Sequence, residues 1–381
     1  GLGDVYKRQF LWLPIIVALF IGAYFSITAI PSTHVKVNDL PIAIVNEDSG
    51  VTGENLAKQI TEATSSSNSS AMSIKWTVFD SEKKLLKDMN REKYYGAIVI
   101  PKDFSEKLQS LTAPNAQKAE LKIIINQGMG TTVTTQVNTA LTQMTTQLNN
   151  KLSTNLLQNV ANRSTSIPAT MALNLSNPLT IKKEKVNKTG DLANGGAHFF
   201  QSVWLGSLGT SMLLGFAFSK IRFKSLKEKF SALFVQLIAA GISALVIGYG
   251  VPALQSWILD VNIPNFTELG LFMSLCAFAF IIFINGVESW VGIISIPVFM
   301  LLLFFAAPLL TAVPESLNGF YSTLADWLPM SYMYRGVKSI MYFNHGPANS
   351  VVMGLIYTII TGLILIITAQ FKKDNKKEGS N

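Results

Sequence analysis

Hydrophobic and polar positions divide the chain into two kinds of text. Unbroken apolar runs occupy Phe10–Ile30 and, after residue 198, roughly 199–219, 230–250, 268–287, 290–311 and 349–370. Each is close to the about twenty residues that carry a helix across a hydrocarbon core, so six membrane helices are predicted. Between the first run and the second lies a long stretch, 31–198, of ordinary water-compatible composition.

That stretch alternates between two periods. Leu40–Val45, Lys75–Phe79, Tyr94–Ile100 and Leu121–Ile125 read as strands, the first closed by the turn Asn46-Glu-Asp-Ser-Gly50. An amphipathic segment from Asp80 to Met89 and another from Pro101 to about Leu111 read as helices between them. Strands alternating with helices predict a small α/β domain. Thr64–Ser70 reads as a low-complexity loop and Ile167–Gly196 as a return linker.

Over about 131–161, Val133, Val137, Leu141, Met144, Leu148, Leu152, Leu156 and Val160 recur three or four apart, on one face of a helix about 45 Å long. The stripe either covers the α/β core or projects and pairs with a second copy.

Charge sets the direction of the membrane segments. Lys220-Ile-Arg-Phe-Lys-Ser-Leu-Lys-Glu-Lys229 carries five positive charges and one acid, and Lys372–Lys377 is basic again. Lys and Arg flanking membrane segments are retained on the cytoplasmic side. Both ends and the basic loop are therefore expected to be cytoplasmic, and the 31–198 domain extracellular. With a net charge of +8 and a mean hydropathy of +0.33, the positive balance reads as membrane orientation and not as nucleic-acid binding. Residues 1–9 lack an initiator Met; they are expected to be a non-native or truncated start and are set aside. Phe10–Ile30 reads as an uncleaved anchor and not as a signal peptide, because Ala29-Ile-Pro31 is no cleavage site. The expected division is thus 10–30 first helix, 31–198 exported domain, 199–371 five-helix membrane domain and 372–381 basic tail.

Signatures of chemistry are sparse. No Gly-Lys dipeptide occurs, so there is no P-loop, and no Gly-x-Ser-x-Gly elbow is present. His34, His198 and His345 lack metal-ligand spacing, and the single Cys276 permits no intrachain disulfide. No catalytic residue, metal site or cofactor is expected. Asp260, Glu268, Glu288 and Glu315 lie near segment ends, and Gln236 and Asn285 are the polar residues inside apolar runs. Ser207, Ser211, Gly215 and Ser219 recur every four residues and predict a close helix-packing face. Pro297 and Pro308 should bend the fifth apolar run. The aromatic stretch Pro314–Gly346 should settle at the outer membrane interface, with Trp327, Pro329 and Arg335 as candidate parts of an outer lid.

Several of these motifs carry a resemblance. Val45–Gly50, Tyr94-Tyr-Gly-Ala-Ile-Val-Ile-Pro-Lys-Asp-Phe-Ser105, the text from Ala119 to Leu148, Asn177-Pro178, Gly195-Gly196 and Trp204-Leu-Gly-Ser207 are similar to the YhgE/Pip family, relatives of the phage infection protein. Trp327-Leu-Pro-Met-Ser-Tyr-Met-Tyr-Arg335 resembles the outer element of type-2 ABC exporter permeases. The chain lacks the extended coiled middle region of the longer relatives, and a shorter group similar to nitrosoguanidine-resistance membrane proteins fits its length as well.

The resemblance implies a plasma-membrane protein of Gram-positive type, exporting an amphiphilic or toxic compound with energy from a separate ABC ATPase, as a homodimer or a pair of homologous permeases. The loop residues Lys220, Arg222, Lys224, Lys227 and Lys229 would then meet the ATPase. A second class fits the large exported domain: a non-transporting receptor or a scaffold for envelope or secretion machinery.

Overall fold

In a computed structural model of the chain, residues 2–33, 37–66, 72–113, 116–163, 166–190, 192, 195–219, 221 and 223–372 are described, with the side chains of the first helix described over 15–30. The chain forms two compact units, Lys36–Ala193 and a second composed of Gly1–Val35 with Asn194–Asn381.

The second unit is helical. It opens with α1 (Leu2–Thr33), which leads by sequence into the sheet unit. There β1 (Val37–Asn46), α2 (Val51–Ser66), β2 (Met72–Phe79), α3 (Glu82–Met89), β3 (Gly96–Ile100), α4 (Phe104–Ser110), β4 (Ala119–Asn126), α5 (Thr131–Ala161), α6 (Ala169–Ser176) and β5 (Leu179–Val186) follow one another. The five strands form one mixed sheet in the order β2-β1-β3-β4-β5. β1 runs parallel to β2 and β3, β3 is antiparallel to β4, and β4 is parallel to β5.

Every residue of β3 is buried, as are Ile42 to Val45 of β1, which is why these strands read as continuous apolar runs. Leu85 and Met89 of α3 pack into the cluster of Ala43, Val45, Ala97, Val99 and Ile124. The predicted linker contains α6 and the edge strand β5. Its text, Leu-Thr-Ile-Lys-Lys-Glu-Lys-Val, hides a strand because an edge is guarded by charge. On α5, Val133, Val137 and Leu141 are buried, whereas Leu148, Leu152 and Leu156 are half-buried. Gly96 lets α5 approach β3, since a Cβ there would stand 2.8 Å from Val137 Cγ1.

The turn after β1 ties three helices down. Asp48 is buried; its Oδ2 accepts from Gly53 N (3.2 Å) in the first turn of α2 and its Oδ1 from Ser105 N (3.3 Å) in the first turn of α4. The Ser105 hydroxyl also donates to Asp48 Oδ2. Glu47 Oε1 accepts from Glu82 N (2.9 Å), the first residue of α3. The residues preceding α3 and α4, Ser81 and Asp103, make no side-chain cap of their own. Gly50 and Gly53 leave room for the carboxylate and the hydroxyl: an added Cβ would lie 2.3 Å from Ser105 Oγ at the first position and 2.4 Å from Asp48 Oδ2 at the second.

The helical unit continues with α7 (Gly195–Ser219), α8 (Leu226–Leu259), α9 (Phe266–Val291), α10 (Ser295–Thr311), α11 (Gly319–Trp327), α12 (Pro329–Tyr342) and α13 (Asn349–Ala369). Among the described residues three stretches are long and apolar enough to cross a membrane: Leu226–Leu259, Phe266–Thr311 and Asn349–Ala369. The predicted apolar runs coincide with α1, α7, α8, α9, α10 and α13. Gly292, with φ +76°, and a short 3-10 turn separate α9 from α10. Phe283 and Phe299 then meet with ring centres 6.0 Å apart, so α10 doubles back along α9. Pro297 falls in the first turn of α10, where the missing N–H costs no helical bond, and only Pro308 is interior to that helix. α9 is the central post, packed against α7, α8, α12 and α13 and buried from Leu269 to Gly286 at most positions.

Replacing Asp48 with Ala strips α2 and α4 of a buried charge-assisted cap. An expected loss of about 1–3 kcal/mol should appear as faster amide exchange over 51–57 and 104–110 in the full chain, with α13 unaffected. Unchanged exchange there would show that the caps are replaceable.

Candidate functional site

One end of the helical unit is basic. Ser225 caps α8, accepting from Glu228 N at 3.3 Å, while Glu228 Oε2 accepts from Lys224 N at 2.7 Å. This reciprocal cap fixes the loop backbone and leaves Lys224 and Lys227 exposed. Lys229 turns inward and donates to the carbonyl of Gln370, just past α13, at 3.3 Å. Lys372 donates to the carbonyl of Trp290 near the end of α9 at 3.2 Å and lies 5.7 Å from the Trp290 ring centre. Trp290 Nε1 in turn donates to Leu365 O of α13 (3.0 Å). Lysines at helix C-termini satisfy orphan carbonyls and oppose the helix dipole. The start of α8 and the ends of α9 and α13 are thereby stapled together. Lys220, Arg222 and the tail beyond Lys372 lie outside the described residues.

The small-residue face of α7 lies against α9. Ser207 and Ser211 are fully buried, and the Ser207 hydroxyl donates to Ala277 O at 3.5 Å. Gly215 meets a carboxylate: a Cβ there would stand 2.3 Å from Glu288 Oε1. Ser211 Oγ, Asn285 Nδ2 and Glu288 Oε2 are buried with no hydrogen-bond partner among the described residues. The side chain of Ser219 lies outside the description. Glu288, expected near a segment end, is thus part of the α7–α9 contact. No sequence signal distinguishes it from the other end-of-segment acids. Gln236 is half-buried on α8.

At the other end, Trp327 closes α11 with its ring exposed, and Pro329 opens α12. Arg335 pairs with Asp326 (2.9 Å), donates to Ala325 O (3.3 Å) and lies 5.9 Å from the Tyr332 ring centre. The three expected lid residues are therefore on one helical hairpin. α12 itself is wedged among α7, α9 and α13, with Met330, Met333, Val337 and Ile340 buried.

Near the ends of α1 and α7 that lead by sequence to the sheet unit, α1, α7 and α10 border a half-open cavity of about 530 Å³. Its walls include Phe25, Leu205, Leu303 and Ala307, with Thr28 and Gln201 as polar residues. Phe25, Leu205 and Phe304 line it yet remain close to half exposed. The volume is in the range of small-molecule sites. Among the described residues no three His, Cys, Asp or Glu side chains gather as a metal site; His34 lies outside them.

In the sheet unit, the carboxyl ends of β1 and β3 form a switch point where open α/β sheets bind ligands. Here the position at the helix N-termini is already filled by the Asp48 carboxylate, so the motif is a clamp. Nearby, the ion pair to Lys107 (2.7 Å) holds the Asp103 carboxyl below its usual value. Burial alone would lower the Lys122 ammonium, but its bonds to Glu82 (2.8 Å) and Glu184 (3.6 Å) outweigh it and leave it raised.

A family profile, described as a protein of unknown function (DUF3533), matches residues 13–369, nearly the whole chain. The chain belongs to the DUF3533 family. This DUF3533 protein is 30% identical over 128 residues to the uncharacterized protein YhgE of Bacillus subtilis strain 168, a match covering 33% of the chain and 16% of that relative. The YhgE resemblance read from the motifs therefore holds, over a minor part of the longer protein. A solved domain of a proposed ABC type-2 transporter from Thermotoga maritima MSB8 is 25% identical and covers 38% of this chain and 84% of that one. Its TM-score is 0.27.

Gly215→Val in the DUF3533 protein forces the Glu288 carboxylate off α7. Overpacking of about 1–3 kcal/mol should lower the melting temperature of the detergent-solubilised chain. Ser211→Ala removes an unpartnered hydroxyl and should leave it within about 0.5 kcal/mol. Equal melting of both variants would show that α7 and α9 are not tightly apposed there.

Proposed function

We propose that the chain is the membrane permease subunit of a type-2 ABC-like exporter, moving an amphiphilic compound outward with energy from a separate ATPase. In this reading α1, α7, α8, α9, α10 and α13 each cross the plasma membrane, both termini are cytoplasmic and the sheet unit is extracellular. Two permeases, identical or homologous, would form the working unit.

The observation that carries the proposal is the staple at the basic end. Lys224 and Lys227 offer an exposed cationic surface, and the same helix, through Lys229, grips the end of α13. Lys372 and Trp290 extend the grip to α9. A partner that displaces the loop therefore displaces the central helix of the bundle. Such an arrangement suits a subunit driven from outside its own chain. The positive charge on this end agrees with a cytoplasmic placement, and the motifs shared with YhgE/Pip proteins agree with the permease class.

The half-exposed stripe Leu148, Leu152 and Leu156 on α5 favours the second reading, a receptor or scaffold held through its extracellular unit.

Reversing Lys224 and Lys227 to Glu tests the choice. The exporter reading expects a copurifying ATPase to be lost, and export of an amphiphilic dye from intact cells to fall about tenfold or more, since two desolvated charge contacts are inverted. Retained ATPase and export would overturn it. Loss of function only on deleting 40–187 would select the scaffold.

A further inference from the structure

The cavity between α1, α7 and α10 has a chemistry more specific than its apolar walls. Phe304 and Pro308 stand four residues apart on α10 and both line it, so the backbone between them faces the cavity. Proline has no N–H, and Pro308 therefore leaves the Phe304 carbonyl without its helical donor. A carbonyl without a partner in an apolar setting costs free energy until a donor reaches it. Across the cavity on α7, Gln201 is exposed and has no hydrogen-bond partner among the described residues. The other polar wall group, Thr28, is already satisfied, its hydroxyl donating to Phe25 O at 2.9 Å. The Phe304 carbonyl, which lacks its i+4 donor, and the exposed Gln201 amide are thus the polar groups offered by a lining otherwise built of Phe, Leu, Ala, Pro and the already bonded Thr28. Among the described residues the lining contains no Lys, Arg, Asp or Glu.

We infer that this cavity is the binding site for a single alkyl or acyl chain joined to an uncharged head that both donates and accepts a hydrogen bond, such as an amide or a hydroxyl. The chain occupies the space bounded by Phe25, Leu205, Leu303 and Ala307. The head's N–H or O–H donates to the Phe304 carbonyl, and its oxygen accepts from the Gln201 amide. Because Phe25, Leu205 and Phe304 are open to the side of the bundle, the ligand enters laterally from the bilayer. Carboxylates, phosphates and ammonium heads are disfavoured, since no lining residue balances their charge. The inference deepens the exporter reading by naming its substrate class, and rests on that reading only for the helices being in a membrane.

The test uses the full chain reconstituted in phosphatidylcholine vesicles with palmitoyl ethanolamide carrying a mid-chain diazirine. After illumination and proteolysis, adducts should concentrate on 25–29 and 303–308 and be displaced by excess unlabelled ethanolamide but not by palmitate. Ala307→Trp, which fills the cavity, should cut labelling about tenfold or more, given the apolar contact it removes. Pro308→Ala restores the helical bond to Phe304 with no added bulk, so it guards against a Trp variant that simply misfolds; it and Gln201→Leu should each weaken labelling about two- to tenfold. Adducts spread over the exposed faces of α8 and α13, or labelling indifferent to Pro308→Ala and Gln201→Leu, would mean surrounding lipid only and overturn the inference. A mapped and displaceable site in a chain that recruits no ATPase would leave the inference standing and remove the exporter reading. Export with no such site would do the reverse.

Discussion

Everything in the helical unit depends on how closely other helices approach α9. Inside a bilayer, apolar side chains gain little by leaving lipid for protein, so cohesion comes from packing and from hydrogen bonds between helices. A Cβ on Gly248 of α8 would lie 2.2 Å from Ser274 Oγ and 2.3 Å from its backbone nitrogen. Gly286 and Gly362 lie at the α9–α13 crossing: a Cβ on Gly286 would stand 2.7 Å from Gly362 O, and one on Gly362 would stand 2.6 Å from Ile282 O. On the third side Trp204 is buried between Phe280 and Phe299 and donates to Phe299 O at 3.1 Å, joining α7 to α10 across α9. Small residues at the crossings and one large aromatic in the remaining gap set the spacing of the bundle.

The sheet unit solves a different problem in water. Three helices begin at the carboxyl edge of the parallel strands β2, β1 and β3, and each would leave unpaired N–H groups. The two neighbouring acids of one turn meet all three. This couples the elements more tightly than separate local caps would, because α2, α3 and α4 share a single anchor in the turn after β1.

Much of the fold could be read from residues because each period was unambiguous. The continuous apolar text of β1 and β3 belongs to buried strands, and the long apolar runs belong to helices. What escaped notice had weak local text. β5 is an edge strand written in lysines, and α2, Val51–Ser66, has scattered polar faces with Gly53 near its start. The role of Asn46–Gly50 was visible only as a turn, since its partners, Gly53, Glu82 and Ser105, lie as far as 57 positions along the chain. The cavity was equally hidden. Pro308 stood out in its own segment, but Phe25 and Gln201 did not, and nothing in the sequence places three segments so far apart around one space. The basic loop announced itself by charge, whereas its inward-turned member, Lys229, gave no sign that it ends on the backbone of Gln370.

The chain passes between its two units only twice, at the end of α1 and at the start of α7. Those same helices supply two of the three walls of the cavity, and the third wall, α10, is joined to α1 by Tyr24, which donates to Leu301 O, and by the Phe25–Phe304 ring contact at 5.8 Å. Tension applied to the sheet unit has no covalent route to the bundle other than these two walls.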